Sequence, residues 1–150
     1  MRKAGKKLIP ALFAAYILLL CAVFFLRSPV GRVRINLVPF DTITTYLTRL
    51  SENSINTDIV MRGIFGNILL TLPLGAFAAM YAALREKSGK IFLALSLAFI
   101  AATELLQFAF RMGECDIDMI MLRFVGVVIG YGVIRLTSSL IARGREVAAR

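Results

Sequence analysis

Polar residues in this chain are gathered between four long apolar runs. The runs extend from Leu8 to Leu26, Ile64 to Leu84, Ile91 to Phe110 and Met119 to Ala142. Each is close to the ~20 residues that a helix needs to cross a bilayer's ~30 Å hydrocarbon core. The pattern predicts an all-α integral membrane bundle of four transmembrane helices, forming a single domain over residues 1–150. Leu72-Pro-Leu-Gly75 interrupts the second run, and a proline there is expected to kink the helix without ending it. The first run is too long, and too bulky at Phe24-Phe-Leu26, for a cleaved signal peptide, so it is expected to be retained. Between the first two helices lies the long connection Ser28–Gly63. Its stretch Ile35-Asn-Leu-Val-Pro-Phe-Asp-Thr-Ile43 is expected to pack on the bundle or lie at the membrane interface. Thr44 to Ile59 is polar enough to be wet.

Composition agrees with the pattern. The chain is 59% hydrophobic with a mean hydropathy of +0.79, where soluble domains are ~45–50% apolar. A net charge of +9 reads as cytoplasmic helix ends and attraction to anionic lipid rather than as nucleic-acid binding, so no nucleic-acid partner is expected. Arg2, Lys3, Lys6 and Lys7, then Arg85, Lys87 and Lys90, then Arg143, Arg145 and Arg150 outnumber the basic residues of the opposite side. That side has Arg27, Arg32, Arg34, Arg49, Arg62 and Arg111. The asymmetry places both termini in the cytoplasm and makes the long connection an outer loop of a multi-pass membrane protein. There is no histidine, which removes His-based triads and His-ligated metal sites. The cysteines, Cys21 and Cys115, do not make a disulfide framework.

Chemistry concentrates where the apolar pattern is broken. Glu104 and Gln107 lie one turn apart in the third run, and Arg111 follows one turn later. At ~100° per residue the three are expected to share a face. A charge in lipid costs at least ~2.5 kcal/mol, so Glu104 must face a partner or a wet cavity. Measured from the predicted span ends, Asn67, Glu104, Gln107 and Arg123 all lie roughly 4–9 Å beneath the outer boundary, with Asp116 and Asp118 in the turn above. An outward-facing polar pocket is therefore expected, with Glu104 paired to Arg123 or Arg111. The plainer alternative is that these residues only join helices by hydrogen bonds, worth ~0.6 kcal/mol on average, and that Asp116 and Asp118 cap the fourth helix. Gly126 and Gly130 form a GxxxG pair that lets helices approach closely, within the chain or in a homo-oligomer.

Several short motifs occur in a familiar order. Asn36-Leu-Val-Pro-Phe40, Gly66-Asn-Ile-Leu-Leu70, Pro73-Leu-Gly75, Glu104-Leu-Leu-Gln107, Cys115-Asp-Ile-Asp118 and Gly126 together resemble the VanZ-like family, from about Asn36 to Tyr131. That family comprises small bacterial integral membrane proteins named for a member associated with teicoplanin resistance. The resemblance brings Asn36 into the candidate set. Members usually continue the last motif with a further acid and an asparagine, where this chain has Met119 and Arg123.

Three functional classes follow. The first is a non-enzymatic binder of a membrane lipid or lipid-linked cell-wall precursor, with Asn36, Asn67, Glu104, Gln107, Arg111 and Arg123 as ligand-binding residues and no cofactor or metal. By the resemblance, such binding would connect to glycopeptide resistance. The second is a membrane hydrolase or transferase acting on a lipid headgroup, with Glu104, Asp116 and Asp118 as catalytic candidates, the two aspartates holding Mg²⁺. The third is a small proton-coupled transporter that titrates Glu104.

Overall fold

In the computed structural model the described residues are 2–26, 34–85, 88–113 and 115–148. They form helices α1 (Arg2–Leu26), α2 (Asp41–Ser51), α3 (Thr57–Arg85), α4 (Gly89–Ala109) and α5 (Ile117–Ala148), with two-residue strands β1 (Ile35–Asn36) and β2 (Cys115–Asp116). Helices α1, α3, α4 and α5 are each long and apolar enough to cross a membrane. The architecture is all-α, as the four runs predict.

The long helices outrun their apolar segments. Helix α5 has 32 residues, roughly 48 Å at 1.5 Å per residue, well beyond the hydrocarbon thickness. Its excess carries Arg143 and Arg145 into water. Helix α3 begins two turns before its apolar run, with Asp58 in its first turn paired to Arg62 one turn later. Pro73 does not end α3. It removes the N–H that would bond the Leu69 carbonyl, and the neighbouring Leu70 carbonyl accepts a hydrogen bond from Tyr16 Oη of α1 at 2.6 Å.

One difference from the sequence reading concerns the long connection. It contains helix α2, which extends into the stretch expected to be wet and for which no helix was expected. Ile43, Tyr46 and Leu50 recur at helical spacing and are half-buried, so this face lies against the bundle. Strand β1 pairs in parallel with β2, Ile35 opposite Cys115 and Asn36 opposite Asp116. This short ladder ties the connection to the start of α5.

Leu20, Phe24, Leu74, Ile100 and Val127 from the four long helices form the core. Leu18, Leu19, Leu69, Leu95, Leu105, Leu136 and other large apolar side chains point outward, as lipid-facing positions do. Buried hydroxyls on α4 are satisfied by their own helix: Ser96 donates to the Phe92 carbonyl and Thr103 to that of Ile100. The closest packing is between α3 and α5. A side chain at Gly75 would strike the Val127 carbonyl, and one at Gly126 or Gly130 would strike the carbonyl of Ile68 or Leu72. The GxxxG pair is thus taken up by α3 of the same chain.

Candidate functional site

Arg123 is the centre of a buried polar cluster. It lies in the second turn of α5, on the face that continues through Gly126 and Gly130 toward α3. Its Nη1 pairs with Glu104 Oε1 of α4, and its Nε donates to Asn67 Oδ1 of α3 at 3.0 Å. The guanidinium also lies 4.0 Å from the ring centroid of Phe24 in α1, within cation–π range. Three helices therefore contact one cation carried by a fourth. Asn67 Nδ2 donates to the Gly63 carbonyl and lies 3.3 Å from Met119 Sδ. Thr71, one turn on, donates to the Arg123 carbonyl at 2.6 Å. Gln107 Nε2 donates to the Phe24 carbonyl at 2.7 Å, which fixes the end of α1 against α4.

These residues wall a cavity of about 480 Å³, with Asn67, Glu104, Gln107, Asp116 and Arg123 inside and Thr42, Tyr46 and Arg62 on the α2 and α3 side. The helices bring Asn67, Glu104, Gln107 and Arg123 together in the wall of this one cavity. Glu104 is 1% exposed, and among the described residues its Oε2 accepts no hydrogen bond.

Arg111 does not share the face of Glu104 and Gln107, which corrects the expectation. Helix α4 ends at Ala109, and Arg111 takes a left-handed conformation with φ 55°. Its N–H bonds the Phe108 carbonyl while that of Met112 bonds Gln107, the paired bonds of a Schellman cap. Arg111 is exposed and is not among the residues that wall the cavity.

Asn36, Asp116 and Asp118 build the site's frame. Asp118 is fully buried; its Oδ1 accepts from the Phe40 N–H, and its Oδ2 from those of Thr42 and Ile43. The carboxylate thus caps α2, where the helix dipole favours a negative charge. Asp116 Oδ1 accepts from the Asp118 N–H and caps α5, while its Oδ2 accepts from Thr42 Oγ1 at 2.6 Å. Asn36 Nδ2 donates to the same Thr42 hydroxyl, and its Oδ1 accepts from Val38. All four aspartate oxygens face N–H or O–H donors, an arrangement that neutralises helix ends rather than one set out for Mg²⁺. Asp118→Ala should cost about 2 kcal/mol, the upper range for a lost cap. Amide exchange should rise selectively in Asp41–Ser51, and unchanged exchange there would remove this role.

Cys115, buried beside this frame, has its thiol pushed above the ordinary value by burial and by the Glu104 and Asp116 carboxylates. Sequence reasoning missed Thr42, Phe24, Tyr46 and Arg62 as parts of the site. For Tyr46 a signal existed in the Ile43, Tyr46, Leu50 spacing. Phe24 contributes its ring to Arg123 and its carbonyl to Gln107, and a phenylalanine in an apolar run signals neither.

Comparison with known proteins adds one decisive finding. A family model described as VanZ/LLP1 matches residues 13–138, which take in the cavity, its frame, the whole of α3 and α4, and the larger part of α1 and α5. The chain belongs to the VanZ/LLP1 family. No curated protein and no solved structure matches it. In this VanZ/LLP1 protein the motifs Asn36–Phe40 and Cys115–Asp118 are two halves of one device, joining α2 to α5. Arg123 gives Glu104 its partner.

Proposed function

We propose that this VanZ/LLP1 protein is a membrane-embedded binder of a lipid-linked headgroup or cell-wall intermediate, which it holds in the polar cavity without chemical conversion. The observation that carries the reading is the gathering of Asn67, Glu104, Gln107 and Arg123 around one cavity at one end of helices whose other surfaces are apolar. Polar side chains in a membrane are retained where they line a substrate site or a wet path. The basic asymmetry of the loops favours both termini in the cytoplasm, so the cavity opens toward the outer face.

A second feature supports a lipid. Toward the opposite ends of α1, α3 and α4 lies an apolar cleft of about 500 Å³ walled by Phe13, Leu74, Phe77, Phe92 and Phe99. Leu70, in the wall of the polar cavity, is one turn from Leu74 on α3. A headgroup in the upper cavity would have its chain directed along this line. Sequestering such a molecule at the outer leaflet is a direct route to altered glycopeptide sensitivity.

The test is saturable binding of a polyprenyl phosphate or a phospholipid to purified protein in nanodiscs, read by native mass spectrometry. Asn67→Leu, which fills the cavity wall and removes a hydrogen-bonding group, should weaken binding about tenfold or more. From outside intact cells, a membrane-impermeant thiol reagent should label Asn67→Cys. Failure of every headgroup to saturate, together with no labelling from the outer face, would overturn the reading.

A further inference from the structure

The donors and acceptors around the cavity do not balance. Arg123 has Nε on Asn67 and Nη1 on Glu104. Asn67 Nδ2 is directed to the Gly63 carbonyl, Gln107 Nε2 to that of Phe24 and Thr42 Oγ1 to Asp116. Each of these donor groups has at least one acceptor within the protein. On the acceptor side, Glu104 Oε2 is buried and accepts no hydrogen bond among the described residues. The Asp116 N–H faces that carboxylate but falls outside hydrogen-bond geometry to Oε2. A buried carboxylate oxygen left in this state costs about 1–3 kcal/mol or more unless something donates to it.

Charge points the same way. Glu104 and Asp116 are buried carboxylates in the cavity wall, and Arg123, paired with Glu104, is its buried cation. Arg62, farther out and exposed, is paired with Asp58. The inner wall therefore carries one more negative than positive charge. An anionic group placed deep inside would meet an unsatisfied carboxylate oxygen. A group with several N–H bonds and a positive charge would correct both deficits.

We infer that the deep part of the cavity receives a primary ammonium group carried by the lipid headgroup, which donates to Glu104 Oε2, while any phosphate of the same headgroup stays near Arg62. This rests on the headgroup-binding reading and specifies its ligand class. An ammonium supplies three donors in a compact volume. A quaternary amine has the charge but no N–H, so it cannot satisfy the orphaned oxygen.

The test needs no variant. Wild-type protein in nanodiscs is titrated with phosphatidylethanolamine, phosphatidylcholine and phosphatidylglycerol of matched chains, with soluble phosphoethanolamine as a further arm. Phosphatidylethanolamine should bind about tenfold or more tightly than either of the others, the effect of a charge-assisted bond to a buried group. Competition by phosphoethanolamine would show that the amine headgroup alone is recognised; competition by the whole lipid only would place the chain in the site as well. Either result supports the inference when the choline lipid is rejected. Equal binding of the three lipids, or preference for phosphatidylglycerol, would overturn the ammonium assignment and leave headgroup binding standing. Absence of saturable binding by all would overturn both. As a second measurement, Glu104→Gln should erase the preference for the amine while retaining residual binding of phosphatidylglycerol. A folded Glu104→Gln protein that keeps the preference would also refute the assignment.

Discussion

Arg123→Met should destabilise the protein by about 3–5 kcal/mol, the range for breaking a buried ion pair by removing one partner. The substitution leaves Glu104, 1% exposed, without its counter-charge in a low-dielectric setting. It also removes the donor to Asn67 and the cation over Phe24. The double variant Glu104→Leu with Arg123→Met should recover most of the loss, because an apolar pair of similar volume costs neither desolvation nor an unpaired charge. Thermal melts of the two single variants and the double in one detergent provide the measurement. A strong positive coupling between the sites is expected. Additive losses would mean that the two groups do not interact, and the account of the cluster would fail. Recovery of stability in the double variant should not bring recovery of headgroup binding, since its cavity wall is apolar.

This cluster was largely legible in the sequence because lipid makes charge expensive. Glu104 in an apolar run must find a partner; Asn67 of α3 and Arg123 of α5 are polar groups at the same level, and Gln107 lies one turn away on its own helix. The four spans were legible for the same reason. The frame around the cluster was not. A two-residue strand such as Ile35–Asn36 has no periodicity to detect, and Asp118 acquires its role from N–H groups about 76 positions earlier in the chain. Side-chain type offers carboxylate capping and carboxylate chemistry as equal readings; only the position of α2 separates them. Arg111 was misplaced because one helical angle was carried past the end of the helix. Its left-handed conformation is one that glycine adopts far more readily, so composition gave no warning. Helix α2 lies between these cases. Its spacing was readable, but its many threonines favour a helix weakly and its inner face had no visible partner.

The glycines of α3 and α5 permit the sharpest contrast. Gly75→Ala and Gly130→Ala should each cost about 3 kcal/mol or more, at the upper end for overpacking. The added methyl meets backbone in both cases, the Val127 carbonyl for Gly75 and the Leu72 carbonyl for Gly130, and backbone cannot rotate aside as a side chain can. The helices would have to separate, which would loosen Thr71 from the Arg123 carbonyl and displace Arg123 from Glu104. Gly132→Ala, two residues further along α5, has nothing within 4 Å of the added carbon and should be neutral or slightly stabilising, by up to ~1 kcal/mol. Melting temperature and the fraction of monodisperse protein distinguish these outcomes. The same experiment decides between packing within the chain and packing between copies. Gly130→Ala should lower the melting temperature of a monomer. If instead it left the melt unchanged and abolished a dimer, Gly126 and Gly130 would be serving a second copy, and the close contact of α3 with α5 could not be what holds Arg123 in place.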